Sequence, residues 1–493
     1  MLHRLILLVA LVAPLTPLSA QQQVAAEAPQ TLSVVRVNVT NQPWDFMRPW
    51  GKRPPYSRRA IGPVIAGQRV LVTAELVANA NYIEFEAADG GQKVPATVEV
   101  VDYEANLALL KTEDPDFLRG IPALDLTVAT VGDTLNVLQL EANGNQLVTS
   151  GPMTTAEVTR YPTEESTFLL YRMTVSLQFR DSSFTLPVVK AGKLVGLVMR
   201  YETQSNNADV VPTPVIQHFL RDAAQMPYEG FPKAGISFAG TRDPQLRRFV
   251  GLTDATPGGL YVTEVLKTSP AAEAGLQEGD VLLQIDAQAV DQDGNYEHPV
   301  YGKISVSHLL STEHFHGDVV KLSIFRKGEV KEIPLKLEHQ PVTEYVSEPY
   351  IIDRAPKFFI LGGMVLQELS RQYLKEWGPE WQKKAPEELI YLDRAQNELF
   401  PEGNRKIVIL SRVLPSDATM GYEDLNHLLV TKLNGVELKR IEDVPEAIAK
   451  AEGGIHKIEF STDPTMIFLD AKQVQTSEEI LTKTYRLPAL KRL

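Results

Sequence analysis

The sequence predicts a mainly β protein of about three domains, and three observations support this prediction. The length of 493 residues exceeds what one hydrophobic core normally serves. The first half is a succession of short runs rich in β-branched residues, such as LSVVRVNV, VLVTAELV and KLVGLVMR. The second half carries a helix-and-turn motif that recurs in weaker form, which indicates a repeated domain. With 44% hydrophobic and 23% charged residues, the composition is that of folded globular domains.

Residues 1–20 have the layout of a secretory signal. A basic start precedes an apolar run from Leu5 to Val12, and a stretch of small residues ends at Ala20. The alternative is a membrane anchor, but the run is well short of the roughly 20 residues that cross a bilayer. We therefore expect a cleaved signal peptide and an exported protein with no stable membrane anchor.

The overall composition excludes several classes of function. The chain contains no cysteine, so disulfides, thiolate nucleophiles and cysteine-based metal sites are ruled out. Its formal net charge of -13 and the lack of a basic cluster argue against nucleic acid as a partner, because phosphate binding needs concentrated lysine and arginine. No motif in the sequence indicates a cofactor.

Residues 30–225 form the first predicted domain. Its short apolar runs are separated by Gly, Pro, Asn and Asp, which is typical of an all-β sandwich or barrel. The segment PTPVIQHFLRDA reads as a helix that closes the domain.

Residues 231–340 contain the most specific motif, SPAAEAGLQEGDVLLQIDAQAV. Ser269 is expected to cap a short helix with Pro270 in its first turn, and Gly275 to end that helix. A tight turn at Gly279 then leads into an apolar strand. This motif resembles the core of a PDZ domain of the bacterial, circularly permuted kind.

The PDZ resemblance implies a peptide-binding groove. In KAGISFAG, the backbone amides of Lys233, Ala234, Gly235 and Ile236 are expected to bind the carboxylate of a peptide that adds to an open sheet edge as a strand. A helix within residues 305–311 is expected to complete the pocket.

Residues 355–470 resemble a degenerate copy of the PDZ-like domain at residues 231–340, and a C-terminal tail follows at 471–493. ILSRVLPSDATMGYEDLNHLLVTKLNGVEL repeats the order of strand, turn, short helix, strand and hairpin, with Asn434 and Gly435 as the hairpin turn. The counterpart of the carboxylate loop is LGGMVLQEL, with Gly362 and Gly363. Because the SPAxxAGL signature is lost, we expect packing or assembly here rather than peptide binding.

A β-barrel domain followed by two PDZ-type modules is similar to the HtrA/Deg family of serine proteases, and the C-terminal half looks most like the plant-type Deg branch. The resemblance implies a trypsin-like double β-barrel followed by two α+β PDZ-like domains, the second degenerate. Family members carry a histidine in a stretch like LTNAHVV, an aspartate in DLALL and a serine in GNSGGP. These three residues form the nucleophilic triad.

Here the triad is degenerate. LVTAELV places Glu75 at the histidine position, NLALLK places Asn106 at the aspartate position, and counting back from GKLVGLV places Ser183, or Ser182 if the loop slips by one, at the nucleophile. The glycines of the serine loop are replaced by Asp181, Phe184 and Thr185.

These replacements predict loss of cleavage. A serine hydroxyl needs a base such as imidazole to take its proton, and a carboxylate at position 181 opposes a developing oxyanion. After the signal segment, the barrel has no histidine before His218. The remaining route is a serine–lysine pair with Lys190 or Lys193, which needs a buried lysine.

Other features have structural interpretations that we favour. His314 and His316 are spaced like a metal pair, but a polar turn accounts for them, and DQDGNYEH lacks the full ligand set of a calcium loop, so no metal site is predicted. The segment PWDFMRPW contains Trp44 and Trp50. The family resemblance implies a trimer contact there, and packing against the barrel is an equal alternative.

The sequence therefore predicts an exported pseudoprotease that binds peptide C-termini or unfolded protein segments. The family resemblance implies a homo-oligomer, a trimer or a multiple of it, a role in protein quality control and, if the source is a diderm bacterium, a periplasmic location. The alternative is a serine endopeptidase of the same family with a non-standard catalytic arrangement.

Overall fold

A computed structural model of the chain describes residues 32–141, 143–163, 166–178, 185–253, 256 and 258–493. The predicted signal peptide at 1–20 and the loop residues Asp181, Ser182, Ser183 and Phe184 lie outside the described residues.

The first domain consists of two closed six-stranded barrels, which confirms the predicted trypsin-like double barrel. Strand order is β1-β2-β3-β6-β5-β4 in barrel 1 and β10-β11-β12-β9-β8-β7 in barrel 2. Barrel 1 contains β1 (Val34–Asn41), β2 (Tyr56–Ile65), β3 (Arg69–Val72), α1 (Ala74–Val77), β4 (Ala80–Glu86), β5 (Lys93–Asp102) and β6 (Leu107–Thr112). Barrel 2 contains β7 (Thr134–Leu140), β8 (Gln146–Arg160), β9 (Thr167–Thr174), β10 (Leu186–Lys190), β11 (Lys193–Glu202) and β12 (Asn207–Pro212), and α2 (Thr213–Ala223) follows it.

The second domain has the predicted PDZ arrangement. Its main sheet runs β13-β14-β15-β19-β20, so β13 lies at one edge. Ser269 caps α4 by accepting the N–H of Ala272 at 3.3 Å, and Gly275 lies at φ +83° just after it, as expected from the motif. The elements are β13 (Ile236–Gly240), α3 (Pro244–Val250), β14 (Leu260–Val265), α4 (Pro270–Glu273), β15 (Val281–Ile285), β16 (Gln288–Ala289), β17 (Asn295–His298), β18 (Gly302–Ser305), α5 (Ser307–Ser311), β19 (Val319–Arg326) and β20 (Glu329–Lys336).

The third domain repeats this sheet and extends it. Its strand order is β27-β26-β24-β23-β22-β21-β28, in which β22-β23-β24-β26-β27 corresponds to the five strands of the second domain. Its strands are β21 (Phe358–Leu361), β22 (Met364–Glu368), β23 (Val408–Val413), β24 (Leu428–Leu433), β25 (Val436–Glu437), β26 (Ile455–Phe460), β27 (Met466–Asp470) and β28 (Lys491–Arg492). Its helices are α6 (Arg371–Leu374), α7 (Trp381–Lys384), α8 (Glu387–Arg394), α9 (Gln396–Leu399), α10 (Val444–Ala449) and α11 (Ala471–Thr484).

The segment 471–493, expected to be a tail, belongs to the third domain instead. Val474 and Leu481 of α11 are buried at 5% and 1% exposure, and β28 pairs with β21. An amphipathic helix of this kind is stabilised by burying its apolar face, so the segment completes the domain core.

The N-terminal segment PWDFMRPW packs on the third domain. Phe46 is 4% exposed and shares a hydrophobic cluster with Leu369 and Tyr373. The ring of Trp50 meets Phe358 edge-on at 6.3 Å, and the Arg492 guanidinium lies 4.3 Å from the ring centre of Trp44. These contacts place the segment on the third domain and not on the barrel, while the trimer contact stays a prediction.

Among the described residues, no helix combines the length and the apolar character that crossing a membrane requires.

Candidate peptide-binding cleft and degenerate catalytic corner

Glu75 and Asn106 meet at one corner of barrel 1. We call these two residues the degenerate corner. The side chain of Asn106 is 3% exposed, and its Oδ1 accepts the backbone N–H of Glu75 at 2.9 Å. Asn106 lies at φ +54°, a conformation that asparagine tolerates better than most residues. Its buried Nδ2 has no hydrogen-bond partner in the described part of the chain. The side chain of Asn106 therefore binds the backbone of Glu75 and not the side chain of Glu75.

The side chain of Glu75 faces solvent. It is 53% exposed and lies 3.2 Å from Arg58 Nη1 in an ion pair across to β2. A general base must lie within hydrogen-bond reach of the proton it removes. An exposed carboxylate paired with a guanidinium is not arranged for that task.

Barrel 2 approaches this corner just beyond the serine loop. The hydroxyl groups of Thr73 and Thr185 are hydrogen-bonded to each other, and both side chains are buried. Thr185 is therefore fixed against the residue two positions before Glu75. The candidate nucleophile Ser183 and the candidate oxyanion-loop residue Asp181 lie outside the described residues.

Neither His218 nor the two nearby lysines supplies a base to the corner. His218 lies in α2 with its ring between Phe231 and Phe315, at centroid distances of 4.2 and 4.1 Å, and burial lowers its pKa to about 4. Lys190 forms an ion pair with Asp133 at 2.5 Å, and Lys193 is exposed. The serine–lysine alternative finds no buried lysine among these candidates.

The first PDZ domain presents backbone amides at the predicted carboxylate loop. The carbonyl of Ala234 accepts the N–H of Ala271 at 3.2 Å, and the carbonyl of Gly235 accepts the N–H of Leu266 at 3.0 Å. In a planar trans peptide the N–H points opposite to the C=O of the preceding residue. The N–H groups of Gly235 and Ile236 therefore point away from the domain body. The N–H of Ala234 has no partner in the described part of the chain.

The structure differs from the prediction at Lys233. Its backbone N–H is donated to the carbonyl of Glu338 at 2.8 Å, so it is not available to a ligand. The ammonium group is also occupied, since Nζ lies 2.9 Å from Glu104 Oε1 and 3.1 Å from Tyr345 Oη. Glu104 is 129 positions away in the chain, so no local sequence pattern predicts this ion pair. The amides of Ala234, Gly235 and Ile236 remain, and we call these three residues the cradle.

Gly235 is required by close packing at the cradle. It adopts φ +72°, and a Cβ at this position would come within 2.2 Å of Ser269 Cβ. Glycine is the residue that accepts this backbone conformation without a steric penalty. The helix cap at Ser269 and the cradle are therefore one packed unit.

The cradle opens into a cleft of about 1060 Å³ between the second and third domains. Ile236 and Phe238 of β13 and Leu310 of α5 give it an apolar wall, and residues 394–398, 400 and 401 of the third domain also line it. Because β13 is the sheet edge, its outward N–H and C=O groups can pair with an added strand. The role of the third domain as a wall was not visible in the sequence.

The matching edge of the third domain is closed. Strand β22 occupies the position of β13, but it pairs with β21 along Phe358–Leu361. Gly362 and Gly363 form the turn between these strands, at φ +59° and +119°. A Gly-Gly pair between two apolar runs is a hairpin signal, so this part of the sequence did contain the clue. The chain itself thus fills the place where a ligand strand would lie.

One group of side chains has metal-like spacing, namely His298, His308 and Glu313. His298 Nδ1 accepts the N–H groups of Val300 and Tyr301 at 3.1 and 3.2 Å, so its proton is carried on Nε2, the atom that faces Glu313. A protonated nitrogen does not bind a metal ion. The group is better described as a hydrogen-bonded cluster behind α5.

The predicted histidine pair in the neighbouring turn points in two directions. His314 Nε2 lies 3.4 Å from Asp286 Oδ2, while His316 Nδ1 accepts the N–H of His339 at 3.0 Å. The two imidazoles have separate partners in the turn.

Comparison with known proteins gives consistent matches. Residues 232–337 and residues 348–491 each match the family described as PDZ domain. The chain is 28% identical over 465 residues to Protease Do-like 2, chloroplastic, of Arabidopsis thaliana, covering 93% of this chain and 74% of the relative. It is 22% identical over 461 residues to Protease Do-like 4, mitochondrial, of the same plant, covering 93% and 84%.

Solved structures with a similar arrangement include the HtrA-type protease AlgW with decapeptide. That protein is 18% identical, covers 63% of this chain and 96% of its own, and gives a TM-score of 0.48. The double barrel, the two PDZ matches and the relatives that span most of the chain agree with one another, and the chain belongs to the HtrA/Deg family.

Proposed function

We propose that this chain is a pseudoprotease of the HtrA/Deg family, which binds the C-termini of peptides or exposed segments of unfolded proteins in the cleft of its first PDZ domain. The observation that carries the proposal is the cradle, where the amides of Gly235 and Ile236 point into a cleft beside an open strand edge. A peptide carboxylate is the natural acceptor for such amides.

The degenerate corner supports the absence of cleavage. Glu75 is exposed and paired with Arg58, and the side chain of Asn106 bonds the backbone at position 75 rather than a catalytic side chain. In subtilisin, loss of triad residues lowers turnover by about a millionfold. We expect a comparable loss here.

The alternative function is cleavage by a serine endopeptidase with a non-standard arrangement. It is favoured by the retained Ser183 and by relatives that are named proteases. Purified mature protein and a Ser183→Ala variant, each incubated with unfolded casein over a range of temperatures, separate the two functions. No cleavage by either protein supports the pseudoprotease. Cleavage that disappears in the variant establishes the peptidase.

Export, quality control and assembly complete the proposal. Residues 1–20 are proposed to be removed during export to the periplasm. N-terminal sequencing of the mature protein should then show that it begins near Gln21. Assembly as a homo-oligomer, a trimer or a multiple of it, is proposed from the family alone. Sedimentation equilibrium that returns the monomer mass at all concentrations contradicts it.

A further inference from the structure

The cradle lacks a free positive charge from its own domain. Lys233 stands next to Ala234, but its ammonium group is bonded to Glu104 of barrel 1, and the two side chains are only 19% and 5% exposed. The carboxylate of Glu104 already balances the charge of Lys233. A peptide carboxylate in the cradle would therefore meet amides and a cation that is already neutralised.

Three further cations line the cleft from its other parts: Lys267, Arg371 and Arg394. Lys267 is paired with Glu402 at 3.4 Å, and Arg371 Nε is paired with Asp393 at 2.9 Å. Arg394 is exposed and forms no ion pair or hydrogen bond with the described residues. It is the cation in this cleft whose charge has no partner within the described part of the chain.

A short chain of contacts connects Arg394 to the residue that precedes the cradle, and both Arg394 and the cradle line the same cleft. The hydroxyl of Tyr345 touches Lys233 Nζ. Two residues later, Ser347 donates its hydroxyl to Asp393 at 2.7 Å, and Asp393 directly precedes Arg394. The segment that contacts the residue before the cradle thus also holds the end of α8.

We propose that Arg394 binds the terminal carboxylate of the peptide together with the cradle amides, so that the third domain contributes to ligand recognition in the first PDZ cleft. This inference rests on the proposed peptide binding. The ligand class is peptides with a free α-carboxylate, because a guanidinium can bind a carboxylate through an ion pair with two parallel hydrogen bonds, which an amide terminus cannot form.

Glu398 is the competing partner. It is exposed, lines the same cleft and stands four residues after Arg394, on the next helix α9. In the structure the two side chains form no ion pair. Glu398→Gln is therefore expected to leave peptide affinity unchanged or raise it slightly.

The test uses the full mature chain and fluorescein-labelled decapeptides that differ only in the last residue, namely Ala, Val, Leu or Phe. Each peptide is prepared with a free carboxylate and as the C-terminal amide, and binding is followed by fluorescence anisotropy. Arg394→Ala is compared with Arg248→Ala, which removes an exposed arginine on α3 outside the cleft lining. Circular dichroism checks the fold of both variants.

We expect Arg394→Ala to weaken binding of the free-acid peptide by about tenfold, within the range of a hydrogen bond to a charged group, and to leave the amidated peptide unaffected. Arg248→Ala should change neither. Equal losses for both forms of the peptide, or no loss, overturn the role of Arg394 while peptide binding itself stands. If the wild-type protein binds none of the free-acid peptides, the proposed function fails and this inference fails with it.

Discussion

The two PDZ-like domains share a strand order and differ at one edge. In the first PDZ domain, no strand among the described residues pairs with the outer side of β13. In the third domain, the equivalent β22 is covered by β21, which is in turn paired with β28. The same framework therefore offers a binding edge once and closes it once. Loss of a binding signature in a repeated domain need not weaken the fold, because the chain itself can supply the missing strand.

Attachment to the barrels differs in the same way. The first PDZ domain is joined to barrel 1 through two buried carboxylates. Glu104 accepts a hydrogen bond from the ammonium group of Lys233, and Asp102 accepts one from the hydroxyl of Tyr228. The third domain is joined to it through Asp353, which bonds the N–H of Asn79 and the hydroxyl of Tyr103 at the surface. Changes at the first attachment should therefore have the larger effects.

Substitution of Gly235 is expected to have the largest effect on binding. In Gly235→Val the side chain would collide with Ser269, and a positive φ costs a non-glycine residue about 1–3 kcal/mol. We expect peptide affinity to fall by at least about tenfold as the cradle is displaced. Anisotropy with the free-acid peptides measures this.

Two glycine variants serve as controls for this comparison. Gly275→Ala introduces the same kind of strain at φ +83° with no atom within 4 Å of the new Cβ, and should retain binding. Gly363→Val would collide with the carbonyl of Leu414 and should destabilise the third domain. If Gly363→Val abolishes peptide binding while that domain stays folded, the third domain takes part in peptide binding through this turn even though its strand edge is closed.

Asp102→Asn is expected to stabilise the protein at neutral pH. Burial, and then the neighbouring Glu104 carboxylate, raise the pKa of Asp102 from 3.8 to about 6. The folded state therefore prefers the protonated acid, and the associated stability is fully present below pH 3.8 and is lost as the pH rises through 6. In Asp102→Asn the side chain stays neutral at every pH, so this loss of stability does not occur. We therefore expect the free energy of unfolding at pH 7.5 to rise by about 1–3 kcal/mol.

Urea unfolding at several values between pH 4 and pH 8 measures this change. The exposed Glu99 on the same strand provides the matched control, and Glu99→Gln should leave the pH dependence of the wild type intact. A pH profile that is unchanged in Asp102→Asn contradicts the assigned role of Asp102.

Disruption of the Asp353 contacts should have a smaller effect. Asp353→Ala removes acceptors for Asn79 and Tyr103, and exposed hydrogen bonds contribute about 0.5–1.5 kcal/mol each. We expect faster hydrogen exchange in residues 346–357 and an unaltered barrel. Tyr82→Phe, at an exposed tyrosine of β4, is the control. Exchange equal to that of the wild type would show that the third domain is held by its apolar contacts alone.

The sequence was most informative where structure is encoded locally. The cap at Ser269, the glycine after the helix and the Asn434-Gly435 turn all depend on residues within a few positions, and the structure contains them. The alignment of two short motifs also assigned Glu75 and Asn106 to triad-equivalent positions, an assignment that stays a prediction, and the two residues are in contact. In each case the information lies in neighbouring residues.

The sequence was least informative where partners are distant. The ion pairs of Lys233 with Glu104 and of Glu75 with Arg58 depend on how strands are placed in three dimensions. The packing of Phe46 on the third domain and the cleft wall at Arg394 likewise join segments separated by more than 150 residues. Side chains of this kind can be recognised as polar or apolar, but their partners are decided by the assembled fold.

Arg492→Ala is expected to have the smallest effect, confined to the closed edge. The guanidinium lies 4.3 Å from the ring centre of Trp44 and 5.4 Å from that of Phe358, and Nη1 donates to the carbonyl of Pro49 at 2.9 Å. Cation–π contacts at partly exposed sites contribute about 0.5–1 kcal/mol, so the unfolding midpoint should fall slightly. Lys491→Ala, on the same strand, controls for loss of a charge. Because the first PDZ cleft does not depend on β28, peptide affinity should remain at the wild-type value; a parallel loss of affinity would mean that the two edges are energetically coupled.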